Sequence, residues 1–204
     1  MKLLIFGGTR FLGRHLVTAA FARGHELTLF NRGQSNAALF TSLEQVHGNR
    51  DGGLAALAPM PARKWDAVVD LCGFVPRVVR ASVELLRERV DRYVFISSVS
   101  VYGEPPATMA LSLSPGIDED SPVATLPDGD TAEVMAYYGA LKAACEAVVN
   151  EVFGARALIV RPACGRRRRD PRSWRSHAAG TVHRRARSRE LARGVVGERS
   201  GRHV

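Results

Sequence analysis

Tyr138 and Lys142 stand four residues apart in Tyr138-Gly139-Ala140-Leu141-Lys142. On a helix, that spacing puts both side chains on one face. A lysine beside a phenol favours the phenolate and lowers its pKa toward neutral pH. Such a tyrosine can trade a proton with an alcohol or carbonyl while a nicotinamide handles the hydride. The chain has only three lysines and four tyrosines, so coincidence is a poor account of the pair, and Tyr137 has no lysine four residues on. A second source of chemistry is Tyr93-Val94-Phe95-Ile96-Ser97-Ser98, an apolar strand ending in hydroxyls and followed by Val99-Ser100-Val101-Tyr102-Gly103. Hydroxyls at the carboxyl end of a parallel strand sit where open α/β sheets bind ligands. Either serine can donate to a substrate oxygen, or both can simply close the turn after the strand.

The partner for this chemistry is suggested at the start of the chain. The run Lys2-Leu3-Leu4-Ile5-Phe6 empties into Gly7-Gly8-Thr9-Arg10-Phe11-Leu12-Gly13 and then into a helical pattern. Glycines between a strand and a helix allow a tight turn and close backbone approach, and the helix N-terminus attracts a pyrophosphate. These seven residues are therefore the expected phosphate cradle of a dinucleotide. The next strand, Glu26-Leu27-Thr28-Leu29-Phe30, ends at Asn31-Arg32-Gly33, where an NAD-specific site would carry an acid for the ribose 2′-hydroxyl. Asn31 does not repel a 2′-phosphate, and Arg32 can pair with one through its planar fork, with Arg10 as a second cation. NADP is accordingly the preferred cofactor, with NAD as the alternative. Plain turn chemistry is the competing account of Asn31 and Gly33.

Positioning these groups requires alternating strands and helices. Strand candidates near Leu3, Leu27, Val46, Val68, Phe95 and Ile159 alternate with helical stretches at Phe11–Arg23, Val78–Arg89 and Thr131–Phe153. This is the pattern of an α/β doubly wound parallel sheet, a Rossmann fold, with right-handed crossovers. Leu12, Leu16, Ala20 and Phe21 form the expected inner stripe of the first helix, with Gly24 as its stop. For the last helix, Asp130 and Glu133 have capping-box spacing and Gly154 is the terminator. The stretch Glu104–Asp130, rich in Pro, Ser, Gly and Asp, reads as a long loop, either a lid or a solvated acidic segment.

Taken together and in order, GGTRFLG, SSVSVYG, YGALK and ALIVRP resemble the extended short-chain dehydrogenase/reductases, the NAD-dependent epimerase/dehydratase group, over Met1 to about Pro162. The resemblance implies hydride transfer with Ser98, Tyr138 and Lys142 as the catalytic set, the lysine also holding the nicotinamide ribose. It also implies that Asp70-Leu71-Cys72-Gly73 runs beside the cofactor, which brings Cys72 into the binding set. A small-molecule substrate follows, an alcohol, carbonyl or sugar nucleotide, as does a homodimer built on the Tyr138 helix and its neighbour. The family's middle glycine is Arg10 here, as in a subset similar to the chloroplast stem-loop RNA-binding proteins. The alternative function is accordingly a Rossmann-fold RNA-binding protein that binds a dinucleotide with little or no catalysis.

Composition agrees with one soluble domain: 46% hydrophobic residues and no apolar run long enough to span a membrane. Cys72, Cys145 and Cys164 lack paired spacing, which suggests reduced thiols and a cytoplasmic protein without a metal centre. The net charge of +9 is unevenly placed. Residues 1–165 carry 16 basic against 17 acidic side chains, whereas residues 166–204 carry 13 arginines, no lysine and three acids. We therefore expect a nucleotide-binding domain over 1–165 and a disordered arginine-rich tail over 166–204, which lacks a hydrophobic period able to offset its ordering entropy. Three accounts of that tail stand side by side: an arm for nucleic-acid phosphates, a variant end, or a shifted reading frame of a GC-rich gene. The last would remove the substrate region expected beyond residue 165 and impair turnover.

Overall fold

The computed structural model describes residues 1–52, 54, 56–57, 63–102, 121–126, 133–162 and 182–183. Six parallel strands form one sheet: β1 (Lys2–Phe6), β2 (Glu26–Asn31), β3 (Glu44–His47), β4 (Trp65–Asp70), β5 (Val90–Ile96) and β6 (Ala157–Val160), in the spatial order 3-2-1-4-5-6. All six strand expectations fall on these elements. A seventh, two-residue strand, β7 (Val182–His183), pairs antiparallel with β6. It adds one short pairing within the stretch assigned to the tail, most of which, like most of Glu104–Asp130 and all of Cys164, lies outside the described residues.

Successive side chains of a strand point to opposite faces, so a sheet covered on both sides needs apolar residues at every position. Leu4 and Phe6 of β1 enter one core, with Val68, Tyr93 and Phe95, while Ile5 enters the other with Leu27, Leu29 and Val69. Helix α1 (Phe11–Ala22) covers the second face through Val17 and Ala20. Helices α2 (Pro76–Leu86) and α3 (Tyr138–Phe153) cover the first, through Val79, Val83 and Leu86 and through Cys145, Val149 and Phe153.

Helix details depart from the sequence reading in three ways. In α1 the inner stripe is Gly13, Val17 and Ala20, whereas Leu12 and Phe21 are about half exposed. The rotation follows from Gly13, which must face the glycine turn because a Cβ there would lie 2.8 Å from the Gly8 Cα. Helix α2 starts earlier than expected, with Pro76 in its first turn, where the missing N–H costs nothing. It also ends earlier, at Leu86. Helix α3 begins at Tyr138, not at Thr131: the Glu133 carbonyl instead accepts from the Ala136 and Tyr137 amides in a separate turn. Met135 of that turn is 91% exposed and contributes nothing to the core. Asp130, the other half of the expected capping box, lies outside the described residues.

Candidate functional site: a cavity at the strand-order reversal

Strand order reverses between β1 and β4, so the connections leaving their carboxyl ends diverge to opposite faces and open a crevice. Gly7 and Gly8 turn the chain there with φ of +93° and +95°, values that L side chains rarely adopt. The Gly7 amide donates to the Phe30 carbonyl at 2.8 Å, anchoring the turn to β2. A Cβ on Gly8 would meet Val17 at 3.1 Å, and Gly13 packs directly on Gly8. The first turn of α1 can therefore approach the strand end only without side chains at these positions. Arg10 caps α1 in an extended conformation without a side-chain cap bond, and Asn36 secures the loop by donating to the Thr9 carbonyl at 2.8 Å. Phe11, at φ +39° and 83% exposed, projects from the rim.

The cavity has a volume of about 770 Å³. Its lining includes all of Gly7–Gly13, together with Asn31, Arg32 and Cys72. Ten of the expected cofactor contacts thus surround one space. The Asn31 amide is used locally: its oxygen accepts from the Gly33 N–H at 2.7 Å and its nitrogen donates to Gln45. Arg32 is exposed and forms no ion pair among the described residues.

Tyr138 and Lys142 do not line this cavity; Phe74 stands between them and it. The Phe74 ring lines the cavity, packs 6.4 Å from the Tyr138 ring and lies 5.5 Å from the Lys142 ammonium. Lys142 is almost wholly buried, and its Nζ donates to the carbonyls of Gly73 (2.8 Å) and Ile96 (2.6 Å) while resting 4.0 Å from the centre of the Phe95 ring. Burial pushes the ammonium down to about 8, against the opposing pull of Asp70. Ser98 Oγ accepts from the Ser100 amide at 3.1 Å and pairs with the Ser100 hydroxyl at 3.0 Å, closing the turn after β5. Gly139 is pressed against the Ser100 carbonyl so closely that a Cβ would collide with it, which seats the start of α3 on that same turn. Among the described residues, the buried Ser97 hydroxyl has no hydrogen-bond partner.

Two charged networks escaped the sequence reading. Arg50, in a short 3-10 turn after β3, forms a two-pronged pair with Asp70 at the end of β4, both bonds 2.6 Å. Arg161 grips Glu146 of α3 in the same manner and donates to the Tyr102 hydroxyl at 2.6 Å. Asp70 ends an otherwise apolar strand, and that irregularity is the only local signal; its partner lies 20 residues away with none.

No family model matches the chain. It is 30% identical over 114 residues to the chloroplast stem-loop binding protein of 41 kDa b of Arabidopsis thaliana, covering 50% of this chain and 30% of that protein. Among solved structures it resembles the UDP-Glc/GlcNAc 4-epimerase of Campylobacter jejuni (TM-score 0.58, 19% identity, 74% of this chain and 48% of that one). It also resembles the dTDP-glucose 4,6-dehydratase of Bacillus anthracis, solved in complex with NAD (TM-score 0.58, 16% identity, 78% and 53%). The chain shares the Rossmann-like fold of these enzymes and spans about half their length.

Proposed function

We propose that this chain is the nucleotide-binding part of an oxidoreductase of the extended short-chain dehydrogenase/reductase family, epimerase/dehydratase group, with a nicotinamide dinucleotide as its cofactor. The observation that carries the reading is the Gly7–Gly13 turn, whose positions at Gly8 and Gly13 a Cβ would crowd, opening onto a cavity that reaches Arg32 at one end and Phe74 at the other. That is the shape a dinucleotide requires: a bare backbone for the pyrophosphate, a polar end for the adenosine and an apolar wall for the nicotinamide. Bound there, the nicotinamide would accept and return a hydride.

The chain's own residues would supply the rest. The first-turn amides of α1 hold the pyrophosphate charge. Arg32, free of ion pairs among the described residues, meets a 2′-phosphate, which makes NADP the preferred form. Tyr138 moves the proton to and from the substrate oxygen, Ser98 donates a hydrogen bond to that oxygen, and Lys142 steadies the developing phenolate and the ribose hydroxyls once Phe74, which separates both side chains from the cavity, swings aside. Ser98 must leave its bond to Ser100 to do so. The C. jejuni and B. anthracis enzymes are named for UDP- and dTDP-linked sugars, which makes a sugar nucleotide the first substrate class to try.

The test is a fluorescence titration with NADPH and NADH. The wild-type chain is expected to bind NADPH more tightly; Arg32→Ala should weaken NADPH roughly tenfold or more, the value of a charge-assisted bond, and leave NADH unchanged. Gly7→Val, forcing a β-branched residue to φ +93°, should abolish both. Tighter NADH binding by the wild type would reverse the cofactor assignment, and no binding of either nucleotide would refute the reading.

A further inference from the structure

The Arg50–Asp70 pair lies beneath the cavity, in the core between the sheet and α2. β3 and β4 are separated in the sheet by β2 and β1. Arg50 therefore reaches across the ends of two strands, its guanidinium passing 4.8 Å from the centre of the Phe6 ring. At its destination every polar group is used. Nε donates to Ser82 of α2 at 2.8 Å, the two terminal nitrogens donate to the two Asp70 oxygens, and one of them also reaches the Tyr93 hydroxyl at 3.3 Å. Asp70 accepts in addition from the Tyr93 hydroxyl (2.7 Å) and from the Cys72 backbone amide (3.1 Å). Both ions are almost fully buried.

A buried ion pair is costly to desolvate and is often replaceable by apolar side chains without loss of stability, so stability alone is a weak account of this one. Its geometry offers another. The Asp70 carboxylate, by taking the Cys72 amide, closes the turn that leads from β4 to Gly73. Gly73 has no freedom of its own: a Cβ would stand 2.5 Å from Phe95, 2.9 Å from Val79 and 3.0 Å from an Asp70 oxygen. The Gly73 carbonyl in turn accepts from Lys142 at 2.8 Å. One continuous path of contacts thus runs from the cavity rim at Asn49–Asp51, through Arg50 and Asp70, to the Lys142 ammonium.

We propose that Arg50 and Asp70 are positioning residues: their pair fixes the Asp70–Gly73 turn and, through the Gly73 carbonyl, holds the Lys142 ammonium in place. Its catalytic consequence rests on the role given to Lys142 above, whereas the positioning itself does not. Arg50 also borders the cavity, so displacement of the rim on nucleotide binding would reach Lys142 along this path as well.

Amine labelling of the full chain with limiting acetic anhydride, read by mass spectrometry, tests this without nucleotide. Only three lysines are present, and the exposed Lys2 and Lys64 serve as internal references. Lys142 of the wild type should label at least tenfold more slowly than either. Arg50→Lys, which keeps the charge but loses the fork, and Arg50→Met combined with Asp70→Leu, which removes both charges, should each raise Lys142 labelling at least fivefold. Leu27→Ala, in the core on the opposite face of the sheet, lowers stability elsewhere and should leave Lys142 labelling unchanged. Unchanged labelling in the pair variants, an equal rise in Leu27→Ala, or rapid labelling in the wild type would each overturn the proposal. Loss of the folded circular-dichroism spectrum in both pair variants would make the pair a folding determinant and overturn it equally. If the double variant alone unfolds, Arg50→Lys decides. A parallel NADPH titration separates the two readings: no NADPH or NADH binding with the expected labelling changes would refute the nucleotide site and leave the positioning role standing.

Discussion

Lys142 carries the sharpest consequence at the residue scale. Burial holds its pKa near 8, below the ordinary lysine value of 10.5 that applies once the chain unfolds. Between these values the unfolded chain binds more protons than the folded one, so this group's contribution to stability rises with pH. The penalty is fully present below about pH 8 and is relieved as the pH rises toward 10.5. From pH 7 to pH 9 the wild type should gain on the order of 1 kcal/mol relative to Lys142→Met, measured by urea unfolding of both proteins at each pH. Cys145 opposes this above pH 9, because burial pushes its thiol up to about 12, and since the Lys142 charge acts on that thiol the comparison stops at pH 9. The Tyr138–Lys142 spacing was legible because a helix converts four residues into one face. The two carbonyls that hold Lys142 were not, since a backbone oxygen has no sequence signature.

At the scale of elements, α2 and α3 lie side by side on one face of the sheet, and two kinds of contact join them to the molecule. Leu86 is completely buried in the core beneath α2. Leu86→Ala should cost about 2–5 kcal/mol of unfolding free energy, the range for removing a packed leucine. On the outer surface, Arg80 of α2 forms a two-pronged pair with Glu151 of α3 at 2.7 and 3.0 Å. Both are exposed, so solvent and salt screen the interaction. Glu151→Ala should leave the melting midpoint within experimental scatter, and a large drop would show that the pair orients the helices. The apolar period announced all three helices and the first residue of α1, but not the phase of α1 or the first residues of α2 and α3. Phase in α1 is imposed by Gly13 meeting Gly8, and the start of α3 by Gly139 meeting the Ser100 carbonyl, contacts made between distant segments.

For the whole molecule, the reversal of strand order between β1 and β4 places one large cavity where both glycine-loop and Arg32 groups converge. A nucleotide that binds only the folded chain must stabilise it: NADPH at a hundred times its dissociation constant should add about 2.7 kcal/mol, seen as a rise in melting midpoint that Gly7→Val removes. Among the described residues, no helix is long and apolar enough to cross a membrane, and no cluster of His, Cys, Asp or Glu is arranged for a metal ion. The amino-acid sequence by itself determined the six parallel strands and three helices, the glycine turn after β1 and the Tyr138–Lys142 face, because each is written in local spacing: glycine where the backbone must bend, apolar residues at each element's period. Tertiary structure alone decided the Arg50–Asp70 and Glu146–Arg161 pairs, the Phe74 ring between cavity and lysine, and the carbonyl seat of Lys142. These join residues brought together only when the strands align and the helices settle on them, and a contact across the fold leaves no periodic mark in either partner's neighbourhood.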